Sequence, residues 1–569
     1  MTIIGSKKSI ETFPTDKAIE DAKDLRAEPG FGLSYVCSTH TSFPSQYLKM
    51  TKWKSNDDRL RAANLETLSD ALGVINVNGE AQVKQLRHDI RKKILSGHSK
   101  RLGEEANQRE EDAHENDPAS YAQPFIDFIN KNPTVYHAVE AAAKQLRSKG
   151  FTELSERDAW DSKLEKGGKY FRLQARKRGQ HNRHAYRCLD CSLEAHLLPP
   201  YQGGYVQLGV APYAGGLNGT WWDRDLGVAG RVLVRDAKTG KISTKLVNLD
   251  WPIARIPTLA PHFGQAANLD RANKETEMVP IIGLDHPTAA SSAPSTTTNS
   301  SGGGPTTFTS TQPQRLVSHI TNALSLSPSQ ILNWDLELYD TQPATLGGLD
   351  RDLIFAGRID DKLCSFSALA ALLASSPSSS PNSLRVVACF DNEEIGSLTR
   401  QGAHSNLLPD VLSRITSSLA GTAYTPDIQS QLYANSFLIS ADVSHALNPN
   451  FTSSYLPSHS PALNTGVAIQ ADPNGHTTTD AVSTAFLQRI AAKTSPPCVL
   501  QTFQIRNDSR SGGTVGPMLS SGMGMRAIDA GMPQLSMHSI RATTGRDDPG
   551  LGCAESIPYC MKRPNNITS

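Results

Sequence analysis

Two adjacent glutamates mark the stretch of this chain that is best suited to chemistry. Val386–Phe390 is an apolar run typical of a buried strand, and Asp391, Asn392, Glu393 and Glu394 follow it directly. In α/β sheets ligands bind at the carboxyl ends of strands, so carboxylates placed there can reach a substrate. One glutamate could hold a metal ion while the other moves a proton. The alternative is a solvated acidic turn.

Three further sites place an acid or an imidazole at the end of a predicted element. Asp360 and Asp361 open a helix, Asp442 ends the apolar segment 437–441, and His538 follows the segment 533–537. Alone, each has a structural explanation as a helix cap, a turn residue or a core histidine. Their joint placement favours a metal site, because carboxylates and imidazole suit Zn²⁺ or Mn²⁺, and a bridging carboxylate can join two ions about 3.5–4 Å apart.

The elements that must position these residues predict an α/β fold. From about residue 315 to His538, strands alternate with helices, which is typical of that class. Residues 121–146 predict two helices that meet at Asn132-Pro133. Residues 203–284 predict a β-rich unit with a hairpin turn at Asp236–Gly240.

Composition excludes several classes of partner. The chain has 569 residues with 57 Lys+Arg against 56 Asp+Glu, so no global field attracts nucleic acid or an anionic membrane. It contains neither a secretory apolar region near the start nor a run of about 18 apolar residues. Eight scattered cysteines favour a reducing compartment. We therefore expect a soluble protein in the cytoplasm, with no nucleic-acid or membrane partner.

Longer motifs carry a resemblance to a known family. In chain order they are FIDFIN (125–130), GYVQLGV (204–210), TWWDRDL (220–226), DTQPATLGG (340–348), DNEEIGS (391–397), SADVSHA (440–446), RNDS (506–509) and PQLSMHSIR (533–541). Together they resemble the aspartyl aminopeptidases. That resemblance implies a zinc-exopeptidase-like α/β catalytic domain, two zinc ions per subunit, an inserted β-rich dimerisation domain and a dodecameric homo-oligomer. Because the family has vacuolar members without a signal peptide, the vacuole is an alternative compartment.

The resemblance also implies a role for each candidate in the metal site. Asp360 bridges the two zinc ions, Glu394 and His538 complete one site, and Asp442 belongs to the other. Glu393 acts as the general base that takes a proton from the attacking water and returns it to the leaving amine.

Substrate contacts follow from the same resemblance. His262 matches a histidine that reaches a neighbouring subunit's active site, and His445 also binds substrate. The implied substrates are short peptides that begin with Asp or Glu. Gln470 departs from the family, which commonly has a lysine there to pair with the acidic side chain, so this position supports peptidase chemistry without supporting acid preference.

The predicted organisation has five parts. They are a charged, partly helical extension (1–115), a first part of the catalytic domain (116–200, atypical over 172–200), the inserted β-rich dimerisation domain (201–288), a disordered loop rich in Ser, Thr and Gly (289–314) and a second part of the catalytic domain (315–569).

The atypical segment 172–200 is the main departure from the family. The family places a zinc-site histidine motif, G-A-H-T-D-S-P, shortly before the inserted domain, and this segment has none. Its Cys188-x-x-Cys191 is a weak zinc signal without a second pair, and the triplet at His40 lacks the following aspartate. We therefore predict at most one tightly held zinc per chain. The competing hypothesis is a catalytically inactive homologue that serves as an oligomeric assembly or cargo component.

Overall fold

The computed structural model describes residues 2–7, 117–161, 163–173, 204–213, 215–263, 269, 271–284, 307–375, 383–492 and 498–553. In these ranges the α-helices are α1 (Ala122–Lys131), α2 (Val135–Ser148), α3 (Gln314–Leu324), α4 (Ile359–Ala374), α5 (Leu407–Ala420), α6 (Pro426–Ala434), α7 (Ala481–Ala491), α8 (Val515–Met523) and α9 (Asp548–Cys553). The strands are β1 (Thr2–Lys7), β2 (Thr152–Leu154), β3 (Lys169–Arg172), β4 (Tyr205–Gln207), β5 (Leu226–Arg235), β6 (Ile242–Ala254), β7 (Ile281–Leu284), β8 (Ile331–Asp340), β9 (Thr345–Gly347), β10 (Leu353–Ala356), β11 (Ser383–Ala388), β12 (Phe437–Ser440), β13 (Ser444–His445), β14 (Val467–Ala471), β15 (Leu500–Gln504), β16 (Arg526–Gly531), β17 (Pro533–Gln534) and β18 (Ala542–Gly545).

The first two helices are separated where the sequence predicts. Pro133 follows the end of α1, and Thr134 caps α2 by accepting a hydrogen bond from the His137 N–H, which satisfies one free amide of the first turn. Apolar residues of α1 face inward, and Phe125, which is fully buried, stacks at 5.5 Å on Phe366 of α4. The two-helix prediction is confirmed.

One four-stranded sheet carries the acidic motif at the end of a strand. Its order is β11-β1-β3-β2, and β1 runs antiparallel to both β11 and β3. Phe171 packs with Leu372 of α4 on one face, while Tyr170 packs with Val411 of α5 on the other. The sheet therefore has helices on both faces, with α2 beside α4 on the first, and its β11 strand precedes the acidic motif.

A second four-stranded sheet, in the order β12-β16-β14-β15, carries Asp442 just beyond the end of β12. Strands β12 and β16 are parallel, as are β14 and β15. Their core residues Ile469 and Ile528 are buried with Leu363 of α4. Parallel strands joined through helices confirm the α/β prediction.

The β-rich part is an antiparallel sheet in the order β6-β5-β8. The β5–β6 hairpin turns at Asp236, whose carboxylate accepts hydrogen bonds from the backbone N–H groups of Lys238 and Thr239. Helix α3 packs on this sheet through buried Leu316 and Ile320. With α3 and β8 included, this part extends to Asp340, beyond the predicted limit at residue 288.

Some predictions fall partly or wholly outside the described residues. These include most of the extension 1–115, the atypical stretch from 174 to 200 with Cys188 and Cys191, and the loop from 285 to 306. Phe308–Thr311, placed in that loop by the sequence, form a 3₁₀ helix in which the Phe308 ring packs edge-on against Trp334. None of the helices in the described ranges is both long and apolar enough to cross a membrane.

Candidate metal centre

Three side chains from separate parts of the chain converge at one place. Asp360 lies at the start of α4, Glu394 in the 3₁₀ turn after β11, and His538 after β17. One potential ligand atom from each lies within 4.8 Å of the others. His538 Nε2 is 3.3 Å from Glu394 Oε1 and 3.7 Å from Asp360 Oδ2. In the described residues this is the group whose donor atoms suit a metal ion.

The turn that presents the two glutamates is held by a buried asparagine. Asn392 is 1% exposed and has a left-handed backbone with φ of 65°. Its side-chain oxygen accepts a hydrogen bond from Thr399 Oγ1, and its carbonyl accepts one from the Ser397 N–H. Asparagine tolerates this conformation better than most residues. The chain therefore turns at Asn392, four residues after the end of β11, and Glu393 and Glu394 follow in a 3₁₀ turn.

The acids of this site repel one another in a buried setting. Burial, and then the charge of Glu393, raise the pKa of Asp360 to about 7. Burial, followed by Asp360 and Glu393, raises the pKa of Glu394 to about 8. Burial also raises the pKa of Glu393. Such a cluster holds its negative charge poorly by itself, so it favours binding of a cation.

Asp442 belongs to the same electrostatic cluster. Burial raises its pKa well above the usual range, and Asp361, Asp360 and Glu393 add to the effect. Its Oδ1 accepts a hydrogen bond of 2.8 Å from the Val443 N–H. Asp442 thus lies beside the other acids, but outside the group of three converging ligand atoms.

Asp361 is a neighbour to which the sequence assigns no separate role. Its carboxylate is buried and hydrogen-bonds Cys364 one turn along α4. Its Oδ1 is buried with no hydrogen-bond partner in the part of the chain that is described. A buried carboxylate oxygen without a donor is costly, and a nearby cation would offset that cost.

His445 and His262, the two histidines predicted to bind substrate, are not among the three converging residues. Burial and then the nearby His538 lower the pKa of His445, and its ring packs 5.1 Å from Phe503. His262 is exposed in a 3₁₀ turn of the β-rich part, and it is not one of the three converging residues. Gln470 lies close to the site, because its amide donates a 3.0 Å hydrogen bond to the Asp442 carbonyl.

The donor set fits zinc. Two carboxylate oxygens and one imidazole nitrogen are the usual ligands of a catalytic zinc ion, which keeps a further position open. Asp360, Glu394 and His538 supply that set within the observed distances. Glu393 is next to Glu394 in sequence but is not one of the three converging residues, which suits a proton-transfer role.

Comparisons with known proteins identify a matching family. A family model described as aminopeptidase I zinc metalloprotease (M18) matches residues 128–180 and 199–554. The interruption between these ranges falls inside the atypical segment 172–200. All three converging residues lie within the second matched range.

Curated relatives and solved structures are similar over most of their length. Vacuolar aminopeptidase 1 of Saccharomyces cerevisiae is 40% identical over 76% of this chain and 86% of its own. Aspartyl aminopeptidase of Aspergillus oryzae is 37% identical over 75% and 93%. Among solved structures, mApe1 of Chaetomium thermophilum has 48% identity and a TM-score of 0.66, covering 76% of this chain and 96% of its own. The mApe1 dodecamer of S. cerevisiae has 35% identity and a TM-score of 0.63, covering 76% and 94%.

Proposed function

The chain belongs to the aminopeptidase I zinc metalloprotease family (M18), and from that premise we propose that it removes N-terminal acidic residues from peptides by zinc-assisted hydrolysis. The observation that carries this proposal is the convergence of Asp360, Glu394 and His538 within 4.8 Å. These three residues hold the ion, and Asp442 belongs to the second metal position of the family. Zinc, when bound, polarises a carbonyl and lowers the pKa of water to about 7.

Glu393 is the proposed general base. It follows Asn392 in the reversed turn, so it lies beside the ligand Glu394 at the end of β11. Burial raises its pKa, which makes its carboxylate a stronger proton acceptor than an exposed glutamate. It takes a proton from the attacking water and later gives it to the leaving amine.

Acid preference is the finer part of the proposal. Its support is the resemblance stated above and the aspartyl aminopeptidase relative. The residue that opposes it is Gln470, which presents a neutral amide next to Asp442 and offers no charge to an acidic side chain. A test of specificity must therefore compare acidic with neutral substrates.

The second candidate is an inactive homologue that serves in assembly or as cargo. The small number of candidate ligands favours this alternative. In the described ranges, His538 supplies the single imidazole of the converging group. The family's other zinc-site histidine motif has no counterpart in segment 172–200. Because one of the two zinc positions lacks this histidine, we propose that one zinc is held tightly and the other weakly or not at all.

One experiment separates these two candidates. Purified protein is assayed for anilide release from aspartyl, glutamyl and leucyl anilides, with and without chelator, while zinc is measured by elemental analysis. Release that chelator abolishes and zinc restores supports the enzyme. Absence of release from all three substrates at one zinc per chain supports the inactive homologue, and two tightly held zincs would contradict the proposed loss.

Assembly and compartment remain proposals. We propose a homo-oligomer, with a dodecamer as the expected size, since one solved relative is described as a dodecamer. Phe263 is 75% exposed and Leu259 is 54% exposed, on either side of His262 in the β-rich part. Light scattering of the purified protein measures the mass. The cytoplasm is the expected compartment, and the vacuole the alternative that the name of one relative suggests.

A further inference from the structure

A short backbone segment from the β-rich part reaches the metal centre. We infer that this segment, Gly215–Thr220, positions His538 and Glu394 for the metal, and that the residue at 215 must be glycine. The inference rests on the metal site of the proposed function. Thr220 opens the motif TWWDRDL, but the resemblance gives no role to any residue from Gly215 to Thr220.

The first observation is that the His538 loop needs support. His538 and Ser536 both have positive φ values, 65° and 60°, which non-glycine residues rarely adopt. Such a conformation persists only where the surroundings hold it. The loop around His538 is therefore expected to be fixed by contacts from elsewhere.

The second observation is that Gly215–Thr220 supplies those contacts. The Leu217 N–H donates a 2.9 Å hydrogen bond to the His538 carbonyl. Thr220 Oγ1 accepts a 3.0 Å hydrogen bond from the Ile540 N–H, and it donates in turn to the Leu217 carbonyl at 2.7 Å. The backbone is thus tied at His538 itself and two residues beyond it.

The third observation concerns the imidazole. Burial lowers the pKa of the His538 imidazole, and a hydrogen bond between the ring and the Gly215 backbone opposes this shift. The Nε2 atom of the same ring faces Glu394 and Asp360. A second hydrogen bond of this kind is the usual way in which a metal-binding histidine is oriented.

The fourth observation explains the glycine. Gly215 has a φ of 83°, and a Cβ atom there would lie 2.5 Å from Glu394 Oε2 and 3.6 Å from His538 Cε1. Any side chain at this position would push Glu394 out of place. The absence of a side chain lets the backbone approach both residues closely.

The segment also has an anchor of its own. Trp221 and Trp222, which follow Thr220, are buried in the core of the β-rich part. The next residue, Asp223, donates its N–H to the Ile256 carbonyl at 2.9 Å. The geometry of His538 therefore depends on a rigid point outside the α/β sheets.

Two glycines serve as matched controls for a test. Gly204 and Gly150 have φ values of 80° and 78°, and a Cβ atom at either would meet nothing within 4 Å. Alanine at any of these positions introduces the same kind of backbone strain. Only in Gly215→Ala does the new Cβ atom contact a residue of the metal site. For each, zinc affinity is measured by competition with a chromophoric chelator, and the melting temperature is measured on the metal-free protein.

We expect Gly215→Ala to bind zinc about 10–100-fold more weakly than the two control variants, as is typical when the support of a ligand is lost. Its metal-free melting temperature should fall no further than theirs. Equal zinc affinity in all three variants would overturn the inference. So would a drop in metal-free melting temperature that accounts for the whole loss of affinity.

A conservative pair tests the hydroxyl of Thr220. Thr220→Ser keeps the acceptor for the Ile540 N–H, whereas Thr220→Val keeps the shape and removes it. Faster zinc release from Thr220→Val, with wild-type release from Thr220→Ser, supports the inference, and equal release from both contradicts it. Wild-type protein that binds zinc but releases no anilide would defeat the proposed function, while these zinc measurements would still decide the inference.

Discussion

Two adjacent glutamates in one turn are expected to have separable roles. Glu394 is one of the three residues whose ligand atoms converge, whereas Glu393 is not. Both side chains are pushed towards the protonated form by burial. Substituting each in turn with its amide keeps the shape of the side chain and removes the charge.

We predict that Glu393→Gln lowers kcat by about 10²–10⁴-fold, the usual contribution of a general base, and leaves zinc content unchanged. Glu394→Gln should instead lower zinc affinity, because an amide is a poor zinc ligand. Elemental analysis and anilide release on the same preparations check both. Loss of zinc from Glu393→Gln would assign that residue to the metal and reverse the two roles.

Gln470 is the residue at which substrate preference can be tested. Its amide donates to the Asp442 carbonyl, so a longer cation from the same position would enter the site. We predict that Gln470→Lys raises the ratio of kcat/KM for aspartyl over leucyl anilide by at least about tenfold, since a hydrogen bond to a charged group contributes about 1.5–3 kcal/mol. Gln470→Met is the neutral control of similar length. An unchanged ratio would remove position 470 from substrate recognition.

At the residue scale, the sequence predicts the acids better than their supports. Asp360, Glu394 and His538 are recognisable because each follows or begins a patterned element. Gly215 lies more than 300 residues before His538, and no local pattern links them. Asp361 is a similar case, since its buried, unpaired oxygen depends on packing that only the fold creates.

At the scale of elements, the strand nearest the start of the chain is the largest departure from expectation. The sequence predicts a charged extension over 1–115, whereas Thr2–Lys7 pairs with β11 and β3 in the sheet that leads to the glutamates. A six-residue strand gives a weak local signal. Its partner Val387 is more than 380 residues from Ile3 in sequence, so the pairing has no local trace.

The position of β1 between two strands predicts that a proline within it will lower stability. Over Thr2–Gly5, β1 has a paired strand on each side, so each N–H group there faces a neighbour, and a proline in this stretch removes one hydrogen bond. We expect Ile4→Pro to lower the free energy of unfolding by at least about 1 kcal/mol and to weaken zinc binding through β11. Ser9→Pro, beyond the end of β1 in sequence, is the control. Equal urea midpoints and zinc affinities for both variants would show that β1 is dispensable.

Longer elements were predictable because their patterns are strong. Helices α1 and α2 follow from apolar spacing and the Asn132-Pro133 break, and the β5–β6 hairpin follows from Asp236 and Gly240. The sequence predicts α3 as a helix and β8 as a strand, but it does not predict which part of the molecule they pack against. Both pack with the β-rich part, and such grouping depends on tertiary contacts between segments on either side of a long loop.

At the scale of the whole molecule, the acid cluster couples stability to pH and to metal. In the unfolded chain Asp360 and Glu394 titrate near their usual values of 3.8 and 4.5, whereas in the folded, metal-free protein they titrate at about 7 and about 8. Between pH 4 and 8 the folded state therefore binds more protons than the unfolded state. Stability of the metal-free protein must fall as the pH rises through this window.

We predict that, in chelator, the free energy of unfolding falls by at least about 2 kcal/mol between pH 5 and pH 8, since each pH unit of differential protonation contributes about 1.4 kcal/mol per group. With saturating zinc the loss should be reduced or reversed, because zinc binds the deprotonated carboxylates and competes with protons. Urea unfolding at several pH values, with chelator or zinc, measures both curves. Burial also raises the pKa of Asp548 to about 7, so this residue too makes the free energy of unfolding fall as the pH rises. The double variant Asp360→Asn with Glu394→Gln is therefore the reference, and a metal-free pH slope equal to that of the wild type would show that the cluster does not govern stability.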